Sequence, residues 1–66
     1  MTKERKAGER LLREAQVLEL VPVSPATLWR MVRDGLFPKP RRISARAVGW
    51  LRSEVEAWIE SREATV

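Results

Sequence analysis

The side chains in this chain that can do chemistry are hydroxyls and cations, and their spacing suits hydrogen bonding to anions and base edges. Ser24 and Thr27 stand three residues apart, Arg30 and Arg33 continue at that interval, and Lys39, Arg41, Arg42 and Arg46 follow closely. On a helix, Ala26, Thr27, Arg30 and Arg33 share one side. A guanidinium can pair bidentately with guanine, worth about 1 to 3 kcal/mol of discrimination, and Arg30 is the candidate for that contact. Thr27 can meet a phosphate or base edge, or support the helix start. Arg33 suits a phosphate or a nearby acid. Strand alternation sends Arg41 and Arg42 to opposite sides, so at least one of the two can serve the surface only. The candidate nucleic-acid contacts are therefore Ser24, Ala26, Thr27, Arg30, Arg33, Lys39, Arg41, Arg42 and Arg46.

Catalysis finds little to work with. The 66 residues include no cysteine and no histidine, and Asp34 is the single aspartate. No nucleophile–base pair, thiolate site or usual zinc constellation can be assembled, and neither enzymatic activity nor a cofactor is expected. The start, Met-Thr-Lys-Glu-Arg-Lys, lacks the apolar stretch of a signal peptide, and no apolar run approaches the roughly 20 residues of a membrane span. A cytoplasmic, nucleoid-associated protein with no membrane partner is expected.

Charge is segregated. The formal net is +4, but between Ser24 and Arg52 seven basic residues face Asp34 alone, whereas beyond Ser53 four glutamates face only Arg62. A one-sided basic segment favours a polyanion partner. The competing reading is a protein-interaction module that uses the acidic last helix, with its basic face incidental. Steep loss of duplex binding with rising salt would separate the two.

The elements that must carry these residues follow from local signals. Residues 1–10 contain no large apolar side chain except Met1 and read as a flexible basic arm; residues 11–66 form one domain. A helix is expected to begin around Glu14, with Val17, Leu20 and Val21 as its buried stripe and Ala15 or Leu18 extending it, and Pro22 bounds it. Ser24 is a natural N-cap, Pro25 fits the first helical position, and Gly35 can end the helix in a left-handed conformation. Leu28, Met31 and Val32 would be its buried face. Only Val21, Pro22 and Val23 separate the two helices, which describes a helix-turn-helix whose second helix reads the major groove.

Beyond Gly35, Pro38 and Pro40 forbid a helix, and Phe37 should fold back below Met31 and Val32. Arg41 to Trp50 alternates as a hairpin with its tip near Ser44 and Ala45 and with Ile43, Val48 and Trp50 on an inner face. Leu51 to about Arg62 is a closing helix, with Leu51, Val55, Trp58, Ile59 and Arg62 as its stripe and Glu54 and Glu56 in its first turn. Trp50 and Trp58 are expected in the core.

The order helix, tight turn, Ser-x-x-Thr helix, Gly-x-Phe-Pro, basic hairpin ending in Arg-Ala-Val-Gly-Trp, then Ser-Glu-Val-Glu-Ala-Trp-Ile resembles the AlpA-type prophage regulators. These are similar to phage excisionases and, more distantly, to MerR-type winged helix-turn-helix proteins. The resemblance covers about Leu12 to Arg62. It implies a mostly helical winged helix-turn-helix with a small β-hairpin, binding double-stranded DNA as a transcriptional regulator, an excisionase, or both. A cognate integrase and further copies on tandem sites are the protein partners it implies. Ser24 and Thr27 match the start of the recognition helix, Phe37 and Pro38 the following corner, and Arg46 to Trp50 the exit from the wing. The chain departs from the family at Pro22, where a glycine is usual, and at Ser44 and Ala45, where the wing tip usually contains one. The angle between the first two helices and the bend of the wing are the features these departures affect.

Overall fold

A computed structural model describes residues 10–64. Its elements run β1 (Leu11–Leu12), α1 (Glu14–Leu20), α2 (Pro25–Arg33), β2 (Arg41–Ser44), β3 (Ala47–Leu51) and α3 (Arg52–Glu60). The expected arm, apart from Arg10, lies outside the described residues.

Helix α2 is made by its own ends. Ser24 is extended and its Oγ accepts the Thr27 amide at 3.1 Å, with Pro25 in the first turn, where no amide donor is needed. At the other end Gly35 has φ +75°. The Gly35 amide donates to the Val32 carbonyl and the Leu36 amide to that of Met31, a Schellman arrangement that satisfies the terminal carbonyls.

The turn before α2 explains Pro22. The Val23 amide donates to the Val21 carbonyl at 2.8 Å, closing an inverse γ-turn centred on the proline. That turn wants φ near −75°, which proline already has. Among the described residues Gly35 alone combines a positive φ with its place in a turn, so the helix-turn-helix bend here is built without a left-handed glycine.

Helix α1 starts where the Gln16 side chain accepts the Arg13 amide at 3.0 Å. Val17 and Val21 are buried as expected, but Leu20 is 47% exposed. Val17 and Val21 are one turn apart and carry the stripe; of the two residues offered to extend it, Leu18 is half-buried against the core and Ala15 is exposed.

The sheet has the order β1-β3-β2, all antiparallel. Leu11 and Leu12, which precede the expected helix start, pair with Leu51 and Trp50, and the Arg52 amide donates to the Arg10 carbonyl at 2.8 Å. The hairpin turns at Ala45 and Arg46, one residue beyond the expected tip. Its register slips between Arg42 and Ser44. This irregularity places Ile43 over Gly49 on the sheet face opposite Trp50: a methyl group on Gly49 would meet Ile43 Cδ1 at 2.8 Å and Leu11 Cβ at 3.4 Å. Ile43 is accordingly 43% exposed and not part of the inner face.

The core comprises Leu12, Val17, Val21, Leu28, Val32, Phe37, Trp50 and Val55. Trp50 is fully enclosed, its ring 5.4 Å from that of Trp29 and edge-on to Phe37 at 6.4 Å. Its Nε1 donates to the Pro38 carbonyl at 2.8 Å. Trp58 is only half-buried: one edge meets Phe37 at 4.8 Å, Nε1 donates to the Leu36 carbonyl at 2.7 Å, and Arg62 lies over the ring at 4.5 Å. Helix α3 ends at Glu60, two residues short of the expected Arg62, and Ile59 is 37% exposed. Its buried contact with the rest of the domain rests on Val55 and part of Trp58, so the stripe is narrower than the apolar spacing suggested.

Candidate nucleic-acid interface

The outer face of α2 presents Ala26, Arg30 and Arg33 to solvent, with Thr27 half-buried at its edge. Thr27 and Ser24 are tied to one another: the Ser24 hydroxyl donates to Thr27 Oγ1 at 2.9 Å while accepting the Thr27 amide. Of the two roles open to Thr27, support of the helix start is the one made in the free protein. Arg30 makes no ion pair among the described residues.

Arg33 is engaged. Its Nε donates to Asp34 Oδ1 at 2.9 Å. That hydrogen bond, aided by the charges of Arg33 and Arg30 against some loss of hydration, holds the Asp34 carboxyl below the usual aspartate range. The same bond raises Arg33 above its ordinary value. Both Arg30 and Arg33 stand in the last turn of α2, where cations suit the negative end of the helix dipole.

Trp29 sits on the α1 side of the helix. Its indole N–H donates to Glu14 Oε2 at 3.3 Å and its ring leans on Trp50, so it braces α2 against the first helix and the sheet.

On the hairpin the two adjacent arginines diverge as strand geometry requires. Arg41 is opposite Gly49 and Arg42 opposite Val48. Arg41 crosses to α3 and meets Glu54 at 2.8 Å, whereas Arg42 makes only a long contact, 3.5 Å, with the Ala45 carbonyl. Arg46 lies in the tip, where its amide donates to Ser44 Oγ at 3.3 Å. Lys39, Arg42 and Arg46 are exposed and make no ion pair among the described residues. The structure thus divides the predicted cations into an unpaired set, Arg30, Lys39, Arg42 and Arg46, and a paired set, Arg33 and Arg41. In the sequence Glu54 is a carboxylate in the first turn of the closing helix, and nothing local signals that it reaches a strand residue thirteen positions away.

A two-helix bracket with an exposed basic second helix, followed by a basic hairpin laid against a closing helix, has the architecture of a small winged helix-turn-helix protein. The family model described as "Prophage CP4-57 regulatory protein (AlpA)" matches residues 10–63, and the chain belongs to that family of phage-type regulators. It is 39% identical over 54 residues to the uncharacterized protein ORF88 of Enterobacteria phage P4, a match covering 82% of this chain and 61% of that protein. The chain therefore spans about three fifths of that relative's length. It is 27% identical over 63 residues to the DNA-binding transcriptional activator AlpA of Escherichia coli (strain K12), covering 86% of this chain and 90% of that one. No solved structure shows a significant match. Among the described residues no helix is long and apolar enough to cross a membrane.

Proposed function

We propose that this chain is a sequence-specific double-stranded DNA-binding regulator of a phage or integrative element. The observation that carries the reading is Arg30, which has no ion pair among the described residues, on the exposed face of a helix braced from behind by Trp29 and Leu28. A cation carried on a rigid helix and without an ion-pair partner among the described residues can be directed to a base edge. Lys39, Arg42 and Arg46 supply the sequence-independent attraction to phosphate. The printed description of the Escherichia coli relative, a DNA-binding transcriptional activator, supports the same reading.

The alternative, a protein-interaction module built on an acidic last helix, is weakened by two ion pairs. Glu54 pairs with Arg41 and Glu56 with Arg52, so two of the four glutamates beyond Ser53 already have a cation beside them.

The test is a salt titration of binding to cognate and scrambled duplex. Arg30→Ala should flatten the preference by about 5- to 150-fold, the equivalent of 1 to 3 kcal/mol. Arg42→Ala should weaken both duplexes alike and lower the salt slope by about 1. An unchanged preference in Arg30→Ala would remove α2 from the groove. One module of this size buries little DNA-contacting surface, so occupancy of tandem sites by further copies belongs to the proposal. An excisionase output would require a cognate integrase as partner; footprints of the DNA flanking the gene, with and without that integrase, distinguish it from promoter control.

A further inference from the structure

Where the Pro38 corner, the hairpin and α3 meet, an open groove of about 570 Å³ is lined by Lys39, Arg41, Glu54 and Trp58, among others. Its chemistry is unbalanced. Two cations stand on one side, and the carboxylate facing them is Glu54, which takes Arg41 at 2.8 Å. Lys39 has no acid partner among the described residues. Both members of the pair keep contact with water, at 55% and 37% side-chain exposure, and an exposed pair is weak enough to exchange partners.

We propose that Glu54 is an internal substitute for a DNA phosphate, holding Arg41 in the free protein and competing with the DNA backbone for it. The inference rests on the DNA-binding reading above and adds a residue that sets the affinity of the interface without setting its sequence preference. A phosphate that reaches Lys39 enters the groove that also holds Arg41. There it meets Glu54, which must be displaced before the guanidinium can turn to the new anion. Arg41 therefore contributes less to binding than Arg42 does, although the two are adjacent arginines in the sequence. Glu54 is suited to the task because the first turn of α3 presents the positive end of the helix dipole, which favours a carboxylate there when the arginine leaves.

The experiment compares wild type, Glu54→Gln, Arg41→Ala, the Arg41→Ala/Glu54→Gln double variant and Arg42→Ala by fluorescence anisotropy on a short labelled duplex across a salt series. Thermal melts confirm that each variant is folded. One added phosphate contact contributes about 0.9 to the salt slope, which multiplies affinity by up to roughly 8 at 0.1 M salt and roughly 4 at 0.2 M. Glu54→Gln should show this gain and the steeper slope, with the cognate-to-scrambled ratio unchanged. The gain should vanish in the Arg41→Ala background, and Arg41→Ala alone should lose less affinity than Arg42→Ala. If Glu54→Gln brings no gain, or an equal gain with and without Arg41, while Arg42→Ala still weakens binding, the competition is refuted and the DNA-binding reading stands. If wild-type binding is negligible at low salt and Arg42→Ala changes nothing, the DNA-binding reading fails and this inference fails with it.

Discussion

Trp50 and Trp58 offer a controlled comparison, because each donates its indole N–H to a carbonyl of the corner after α2 but only one is enclosed. Replacing Trp50 with alanine would empty the centre of a domain too small to absorb the loss, so phenylalanine is the more informative change. Trp50→Phe removes the donor to the Pro38 carbonyl, a loss of about 1 to 3 kcal/mol where the acceptor stays shielded from water. The smaller ring also leaves space in a site with no solvent exposure, adding about 1 kcal/mol. Together these give about 2 to 4 kcal/mol, or a Tm lowered by roughly 8 to 30 °C at ~4 to 8 °C per kcal/mol for a domain this small. Trp58→Phe removes an equally short bond, but the ring is half-buried and the Leu36 carbonyl can turn to water. Its cost is about 0.5 to 1.5 kcal/mol, a shift of roughly 2 to 12 °C. Thermal unfolding followed by far-ultraviolet circular dichroism reads both without relying on tryptophan emission. A Trp50→Phe protein melting within ~4 °C of wild type, or the reverse order of the two variants, would refute the placement of Trp50 at the centre of the core. Because the Pro38 carbonyl anchors the start of the wing, Trp50→Phe should also weaken DNA binding in proportion to the loss of wing order.

Two further outcomes follow from local geometry. Gly49→Ala should destabilise by about 1 to 3 kcal/mol, read from the same melts, because the new methyl would lie 3.0 Å from the Leu12 carbonyl as well as against Ile43. Ile43→Ala in addition should recover only part of that loss, since the backbone contact persists. For pH, Asp34 carries a depressed pKa, so its contribution to stability is complete above the ordinary aspartate value and is lost as pH falls through the depressed one. Asp34→Asn should therefore reduce the acid sensitivity of Tm below about pH 4 and leave the slope near neutrality unaltered; an unchanged acid limb would place the sensitivity elsewhere.

The expected helix-turn-helix and the helix that carries Arg30 could be read directly from Ser24, Pro25 and Gly35, because caps act within three or four residues and chain order puts the partners together. The bracket of Pro22 was readable for the same reason, although the γ-turn that accommodates it was not. The order of hairpin and closing helix was equally local, and the resemblance to AlpA-type regulators drew on that order. Tertiary structure decided everything that depends on register. Leu11 and Leu12 became a strand only because β3 offered an edge forty residues later, and no two-residue segment carries a period that could announce it. Ile43 lost its inner position to a single slip in pairing, since a shift of one residue reverses the face of a strand side chain. Leu20 and Ile59 matched helical stripes by spacing, yet a stripe states which residues lie together and not how wide a surface the neighbouring layer will cover. Charge was subject to the same limit. The sequence determined that the middle of this chain is basic, but whether a given arginine is free to meet DNA depends on which carboxylate the fold brings within 3 Å. For Arg41 that partner comes from another element, and only the packing of α3 against the hairpin could supply it.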